Sequence, residues 1–296
     1  MRRSWINSAI LLFGVFCGSS AVIMIKANNE NPFLIASYRL LIAAAVLFPL
    51  FLREKRNYNG DYGWRQVRWS LLPGLLLALH FITWNIGVQL SPVANASLIV
   101  NTTPAVMPFF LWFFYRERIN RLEILGTLLA LAGLAILAFV RADLTDANLQ
   151  GHLITFISML FFAAYLALGR RNSGRLPLWL YMVPLYFFAG LICLTGALPF
   201  VNPIKAYSLP NILLFFGLAF IPTIGGHTIL NYSMKNFRGQ VVSVANLGQI
   251  LFAALLGFLF FGEIPSPTFY ITAFLIISGV LVTITSAYQR RNTEIK

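Results

Sequence analysis

The chain has 296 residues, 58% of them hydrophobic and only 10% charged, with a formal net charge of +13 and a mean hydropathy of +0.76. A soluble protein carries about 25% charged residues, so a soluble enzyme or pair of soluble domains is excluded. The basic excess lies between apolar runs rather than on one face, which points away from nucleic acid and towards a lipid bilayer as the partner.

Ten apolar runs are read as helices at 6–26, 32–52, 68–89, 94–115, 121–141, 151–170, 178–200, 210–233, 240–261 and 267–288. Each is long enough to cross ~30 Å of hydrocarbon. The alternating ~10-residue segments of a β-barrel are absent, so the expected fold is all-α and polytopic. The first run follows two arginines in the manner of a signal peptide. Its length and the nine runs behind it read as a retained helix. Cys17 and Cys193 lie inside runs without metal or disulfide spacing and read as small core residues.

The second helix carries Arg39, an insertion cost of about 2.5–3.5 kcal/mol at a helix centre. It reads as a contact for an anionic substrate group or as a clamp between helices. In the third, His80 and Trp84 share one face, and Asn85 and Gln89 form a second polar pair about 100° further round. These suit a cavity for a small amphipathic solute; interhelical hydrogen bonding is the alternative. In the fourth, Asn101, Thr102 and Thr103 lead into Pro104, and Pro108 follows one turn later. Each proline removes a backbone donor and frees a carbonyl, which predicts a bendable helix and a gating role. Tyr165 in the sixth helix, His227 and Asn231 in the eighth, and Ser243, Asn246 and Gln249 in the ninth are further polar candidates. Trp179, Tyr181 and Tyr186 read as an interfacial aromatic belt. Glu117 and Glu263 read as helix-end charges, Glu117 pairing with Arg121 at i+4. No Asp or Glu reads as lying deep in the bilayer, and no H-E-x-x-H or G-x-S-x-G motif occurs. No catalytic residue, metal site or cofactor is therefore expected.

The second half echoes the first. Residues 96–133 recur as 242–279, an offset of 146 that sets Glu117 on Glu263, Gly133 on Gly279 and Asn85 on Asn231. The polar segment 142–150 divides the chain into repeats at 1–141 and 151–296. Lys and Arg give the orientation. Eighteen fall at the termini and in the even-numbered connections, against Lys26, Arg141 and Lys205 on the other side. Both termini are expected in the cytoplasm. Five helices per half, an odd number, insert the two copies with opposite orientation. Such inverted repeats are the signature of carriers with a midplane site between halves. The amides Asn85 and Asn231 are expected to meet there, beside polar turns of the fourth and ninth helices.

The stretches T-T-P-A-V-M-P at 102–108, Y-R-E-R-I at 115–119 and L-G-T-L-L-A-L-A-G at 125–133 resemble the drug/metabolite transporter superfamily, nearest its EamA-domain branch. F-G-E at 261–263, S-G at 278–279 and H-F-I-T-W-N at 80–85 fit the same pattern. Two positions depart from it. Arg116 stands where the family commonly has Gly, and Ile250 stands where a proline would match Pro104, which implies a straighter ninth helix. The resemblance implies helices 1, 3, 4, 6, 8 and 9 around a cavity, with helices 5 and 10 peripheral and able to support a homodimer. It also implies a bacterial inner-membrane carrier of amino acids or related metabolites, with efflux preferred. Import or facilitated diffusion of a nucleobase, vitamin or nucleotide-like metabolite is the alternative.

Overall fold

The computed structural model describes residues 2–141, 146–261, 264 and 266–293; Glu263 and residues 142–145 of the inter-repeat connection lie outside the described residues. Among these, ten helices are long and apolar enough to cross a membrane: α1 (Trp5–Ala27), α2 (Pro32–Arg56), α3 (Trp64–Leu90), α4 (Asn95–Tyr115), α5 (Arg121–Phe139), α6 (Leu149–Asn172), α7 (Leu178–Ala197), α8 (Leu209–Asn236), α9 (Gly239–Leu256) and α10 (Pro267–Ser286). No strand occurs among the described residues. Large apolar side chains such as Phe139, Phe274 and Leu281 point outward. In a bilayer that outward apolar surface meets lipid rather than water.

Local sequence sets the helix ends. Asn31 caps α2 by accepting from the Phe33 amide at 2.9 Å, with Pro32 in the first turn where its missing N–H costs nothing. Arg53, Lys55 and Arg56 fill the last turn of α2, at the negative end of its dipole. Helical structure runs further than expected in two places. The connection after α2 shrinks from 53–67 to 57–63. Residues 146–150, expected in the inter-repeat connection, belong to the helix Asp146–Asn172.

Two contacts show that the halves are inverted. Glu117, just beyond the end of α4, accepts from the Gly239 amide at the start of α9, so these repeat-equivalent helices run antiparallel. A Cβ built on Gly133 would lie 2.9 Å from the Thr272 carbonyl, and one built on Gly126 would lie 2.6 Å from Thr283 Cγ2, so α5 and α10 also cross antiparallel. The second crossing depends on small residues, since a Cβ on Gly279 would stand 2.8 Å from Ala130 Cβ. These faces of α5 and α10 are used against each other within the chain.

Four of the helices are irregular. α1 breaks at Ser20, α4 at Asn101–Thr102 and α9 at Leu247, while α8 contains a π-helix over Ala219–Thr228. The α4 break follows from its prolines. Pro104 cannot donate to the Val100 carbonyl, and the Thr103 hydroxyl donates there instead at 2.6 Å. Pro108 cannot donate to the Pro104 carbonyl, which accepts from Gln240 Nε2 of α9 at 3.0 Å. The expectation of a straighter ninth helix is overturned. Leu247 and Gly248 stand 146 residues after Asn101 and Thr102, and the helix breaks there without a proline. It does so by switching to i→i−3 bonds, with the Leu247 amide on Val244 O and the Ile250 amide on Leu247 O, both at 3.1 Å.

Candidate functional site

All four irregular segments face one cavity. It is lined by Ser19 and Val22 of α1, Arg39 of α2, His80, Phe81 and Trp84 of α3, Ser97 and Asn101 of α4, Phe162 of α6, Pro222, Gly226 and His227 of α8, and Asn246 and Gln249 of α9, with their apolar neighbours. Non-helical backbone is tolerated at membrane depth where it lines such a space. The cavity holds about 70 Å³, room for roughly two waters. Pockets for drug-sized ligands run to about 300–1,000 Å³. In this conformation the space is therefore too small for such a ligand.

Close packing of α1 on α8 shapes one wall. Gly14 and Gly18 abut Ile229 and Gly226; a Cβ on Gly14 would lie 2.8 Å from Ile229 Cβ. A Cβ on Gly18 would lie 2.7 Å from Gln249 Nε2, so the absent side chain leaves the place that the glutamine amide occupies. Gln249 Nε2 donates to Asn246 Oδ1 at 2.6 Å, joining two residues one turn apart across the α9 break.

Much of the remaining lining is aromatic. The ring of His80 stacks on Phe162 with centroids 4.8 Å apart, Phe81 meets His227 edge-on at 4.8 Å, and the two histidine rings are 6.0 Å apart. His80 Nδ1 lies 2.9 Å from Ser158 Oγ and 3.1 Å from Ser158 O. The serine hydroxyl also lies 2.9 Å from the His80 carbonyl and donates to it. With that proton spent, Nδ1 is the donor to Ser158, which leaves Nε2 as the acceptor.

Arg39 is completely buried. Its Nε donates to Thr223 Oγ1 at 2.8 Å, and its guanidinium lies over the Phe81 ring, 4.1 Å from the centroid. Thr223 belongs to the π-helix and spends its own proton on Leu218 O at 2.7 Å. Nη1 and Nη2 have no hydrogen-bond partner, nor does Asn101 Oδ1. Among the described residues no Asp or Glu lines the cavity.

The structure sorts the candidates read from sequence. Arg39, His80, Trp84, Asn101, Asn246 and Gln249 come together around the cavity, as does His227. Asn85, Thr102, Tyr165 and Asn231 are not among its lining residues. Asn85 does not meet Asn231: its Nδ2 donates to the Pro32 carbonyl at 2.8 Å, and Gln89 holds Glu30 O nearby at 3.3 Å. The pair thus staples α3 to the start of α2 and the connection before it. Asn231 is bonded to Tyr165 Oη and to His227 O. Thr102 Oγ1 donates to Ile99 O, inside its own helix. Pro104 and Pro108 shape the break in α4. Tyr181 and Tyr186 are not an interfacial belt; both are buried, and the Tyr186 hydroxyl meets Thr223 O at 3.1 Å and Thr228 Oγ1 at 2.9 Å.

Glu117 does more than end a helix, and its partner is not Arg121. Arg116 is the only described non-glycine residue with positive φ, at 59°. Its amide reaches Trp112 O, the 5→1 bond of a left-handed C-cap that normally calls for Gly, and the Glu117 amide reaches Leu111 O. A guanidinium placed 4.6 Å from the Trp112 centroid offsets the cost of an arginine there. This turn aims Glu117 inward to Arg170 Nε at 2.9 Å and Gly239 N at 3.1 Å. Arg238 pairs with Glu123 beside it. The cluster ties α4 and α5 to α6 and α9. At the other end Glu30 pairs with Lys205 at 2.7 Å, and Lys26 caps the last carbonyls of α3.

Sequence reading missed the G-x-x-x-G at Gly14–Gly18, a small-residue crossing signal, and the π-helix, which Pro222 and the Gly225–Gly226 pair could have flagged.

Comparison with known proteins gives the fold a family. The profile of the EamA-like transporter family matches twice, at residues 4–139 and 149–285. An uncharacterized transporter of Archaeoglobus fulgidus is 21% identical over 93% of this chain and 95% of its own. The uncharacterized transporter YdfC of Bacillus subtilis is 24% identical over 96% and 92%. Human solute carrier family 35 member G1 is 21% identical over 81% and 68%. One crystal structure superposes with a TM-score of 0.76 at 19% identity, covering 95% of this chain and 98% of that one. The chain is a multi-pass membrane protein that belongs to the EamA-like transporter family.

Proposed function

We propose that this transporter moves a small metabolite, amino acids first, by alternating access, and that it works in the export direction from a bacterial inner membrane with both termini in the cytoplasm. The observation that carries the reading is the small cavity shared by both halves, with α1 to α4 on one side and α6, α8 and α9 on the other. At about 70 Å³ it must enlarge to admit a solute. The breaks in α1, α4 and α9 supply the bending points. Each end carries a polar latch that opening would have to release: Glu117 with Arg170 at one, Glu30 with Lys205 at the other. The eighteen basic residues on one side support the assigned orientation.

The test is counterflow in proteoliposomes preloaded with individual L-amino acids. The reading predicts accumulation of labelled solute that is lost when Trp84 is replaced by alanine. Absence of counterflow for every amino acid, with nucleobases or vitamins exchanging instead, would refute the assignment of solute.

A further inference from the structure

We infer that Arg39 is the docking point for a carboxylate, so that the solute carries a free carboxyl group; the inference rests on the reading of the chain as a small-metabolite carrier. A guanidinium has five N–H donors in a planar fork and stays charged in proteins. At Arg39 the protein occupies one of the five and one face of the plane: Nε is on Thr223 Oγ1, and the face lies on Phe81. The four N–H groups on Nη1 and Nη2 are buried without a partner, at the end of the fork that matches a carboxylate bidentately.

A purely structural clamp would be expected to use those donors on carbonyls of neighbouring helices, because an unmet donor in a dry interior is costly. It would also be expected to find a protein counter-charge. Among the described residues Arg39 forms no ion pair, and no Asp or Glu lines the cavity. The fork is held in place from behind. Thr223 can only accept from Nε, since its own proton goes to Leu218 O at 2.7 Å across the π-helix. The irregular turn of α8 thereby fixes the orientation of a side chain on α2. Asn101 Oδ1, also buried, lining the cavity and unpaired, offers an acceptor for a second polar group of the solute, such as an ammonium or hydroxyl.

The experiment is thermal unfolding of the purified full chain in detergent. The probes are the L-amino acids and short aliphatic and aromatic monocarboxylates, each paired with its own amide and compared with sodium chloride at matched ionic strength. A ligand that binds only the folded state raises Tm. At least one free acid is expected to raise Tm where its amide does not. Arg39→Lys, which keeps the charge and loses the fork, is expected to weaken that acid by roughly ten- to a hundredfold, and Arg39→Met to abolish its effect. The acid–amide comparison uses wild-type protein, so it stands even where a variant folds poorly. Stabilisation by an acid without an ammonium equal to that by an amino acid supports a carboxylate alone; stabilisation by amino acids only supports the added contact at Asn101. Equal shifts for acid and amide, equal shifts for chloride, no shift for any acid, or unchanged affinity in Arg39→Met would overturn the inference. Flux of neutral solutes in proteoliposomes under those outcomes would leave the carrier reading intact. Absence of flux for every solute would remove the carrier reading itself.

Discussion

The Pro108–Gln240 pair permits a sharp test of how the break in α4 is held. Gln240 is fully buried and spans the halves, its Nε2 donating to Pro104 O at 3.0 Å and to Thr127 Oγ1 at 2.8 Å. Gln240→Leu leaves the Pro104 carbonyl without a partner, a desolvation cost of about 1–3 kcal/mol. Two features place the net effect at the low end. Thr127 Oγ1 keeps its bond to Glu123 O, and leucine also removes the unpaired Gln240 Oε1. Side-chain bonds between membrane helices average about 0.6 kcal/mol. A loss near 1 kcal/mol is the expected value. The distinctive claim concerns Pro108→Ala, which returns an N–H four residues after Pro104 and supplies the missing donor from within the helix. The double variant should then lose less stability than the sum of the two single variants. The coupling, about 0.5–1 kcal/mol, would be read from equilibrium unfolding in mixed micelles. Strict additivity would mean that the Pro104 carbonyl is not what Gln240 satisfies, and the account of the break would fail.

Three further outcomes follow from the contacts. Gly18→Ala should displace the Gln249 amide, whose Nε2 would be 2.7 Å from the new Cβ. Because that is the end of a flexible chain, solute binding should weaken while Tm moves little; a large Tm loss with normal affinity would contradict the placement. Glu117→Ala should cost about 1–3 kcal/mol by stripping the Gly239 amide and Arg170 of their acceptor. It should also speed thiol labelling of a Ser233→Cys variant, since Ser233 is buried in α8 beside Met234, whose carbonyl Arg170 also holds; unchanged labelling would mean that the cluster is not a latch. Asn231→Leu should destabilise more than Tyr165→Phe. The phenylalanine variant leaves Asn231 Nδ2 donating to His227 O at 2.9 Å, whereas the leucine variant strands the buried Tyr165 hydroxyl. The reverse order in thermal unfolding would refute this.

Helix number, the offset of 146 and the inversion were legible because they follow from apolar length, charge asymmetry and an odd helix count, all one-dimensional properties. The polarity of Arg39, His80 and Asn101 was also legible, since each is expensive in lipid unless it faces protein or a cavity. What was not legible is which polar residues face the cavity. Asn85 and Asn231 are repeat-equivalent and were expected to meet. The side-chain reach of Asn85 to Pro32 and of Asn231 to Tyr165 is set by neighbours distant in sequence. The break in α9 was hidden for a different reason. With no proline at 250, the kink comes from i→i−3 bonding at Leu247 beside Gly248, which composition does not announce. Tyr186 reads as interfacial from its place near the start of α7, yet it lies in the core because the π-helix brings Thr223 and Thr228 to its hydroxyl.

The central claim is that the solute occupies the cavity between the halves, and two adjacent residues of α3 separate it from its rivals most directly. Trp84 lines the cavity, whereas Asn85 is turned away to the Pro32 carbonyl. Flux of labelled L-amino acids into proteoliposomes, normalised to folded protein, should fall at least tenfold in Trp84→Ala. In Asn85→Ala it should stay within about twofold of wild type, that variant losing stability instead by about 1 kcal/mol. Normal flux in Trp84→Ala together with lost flux in folded Asn85→Ala would place the solute elsewhere and contradict the account.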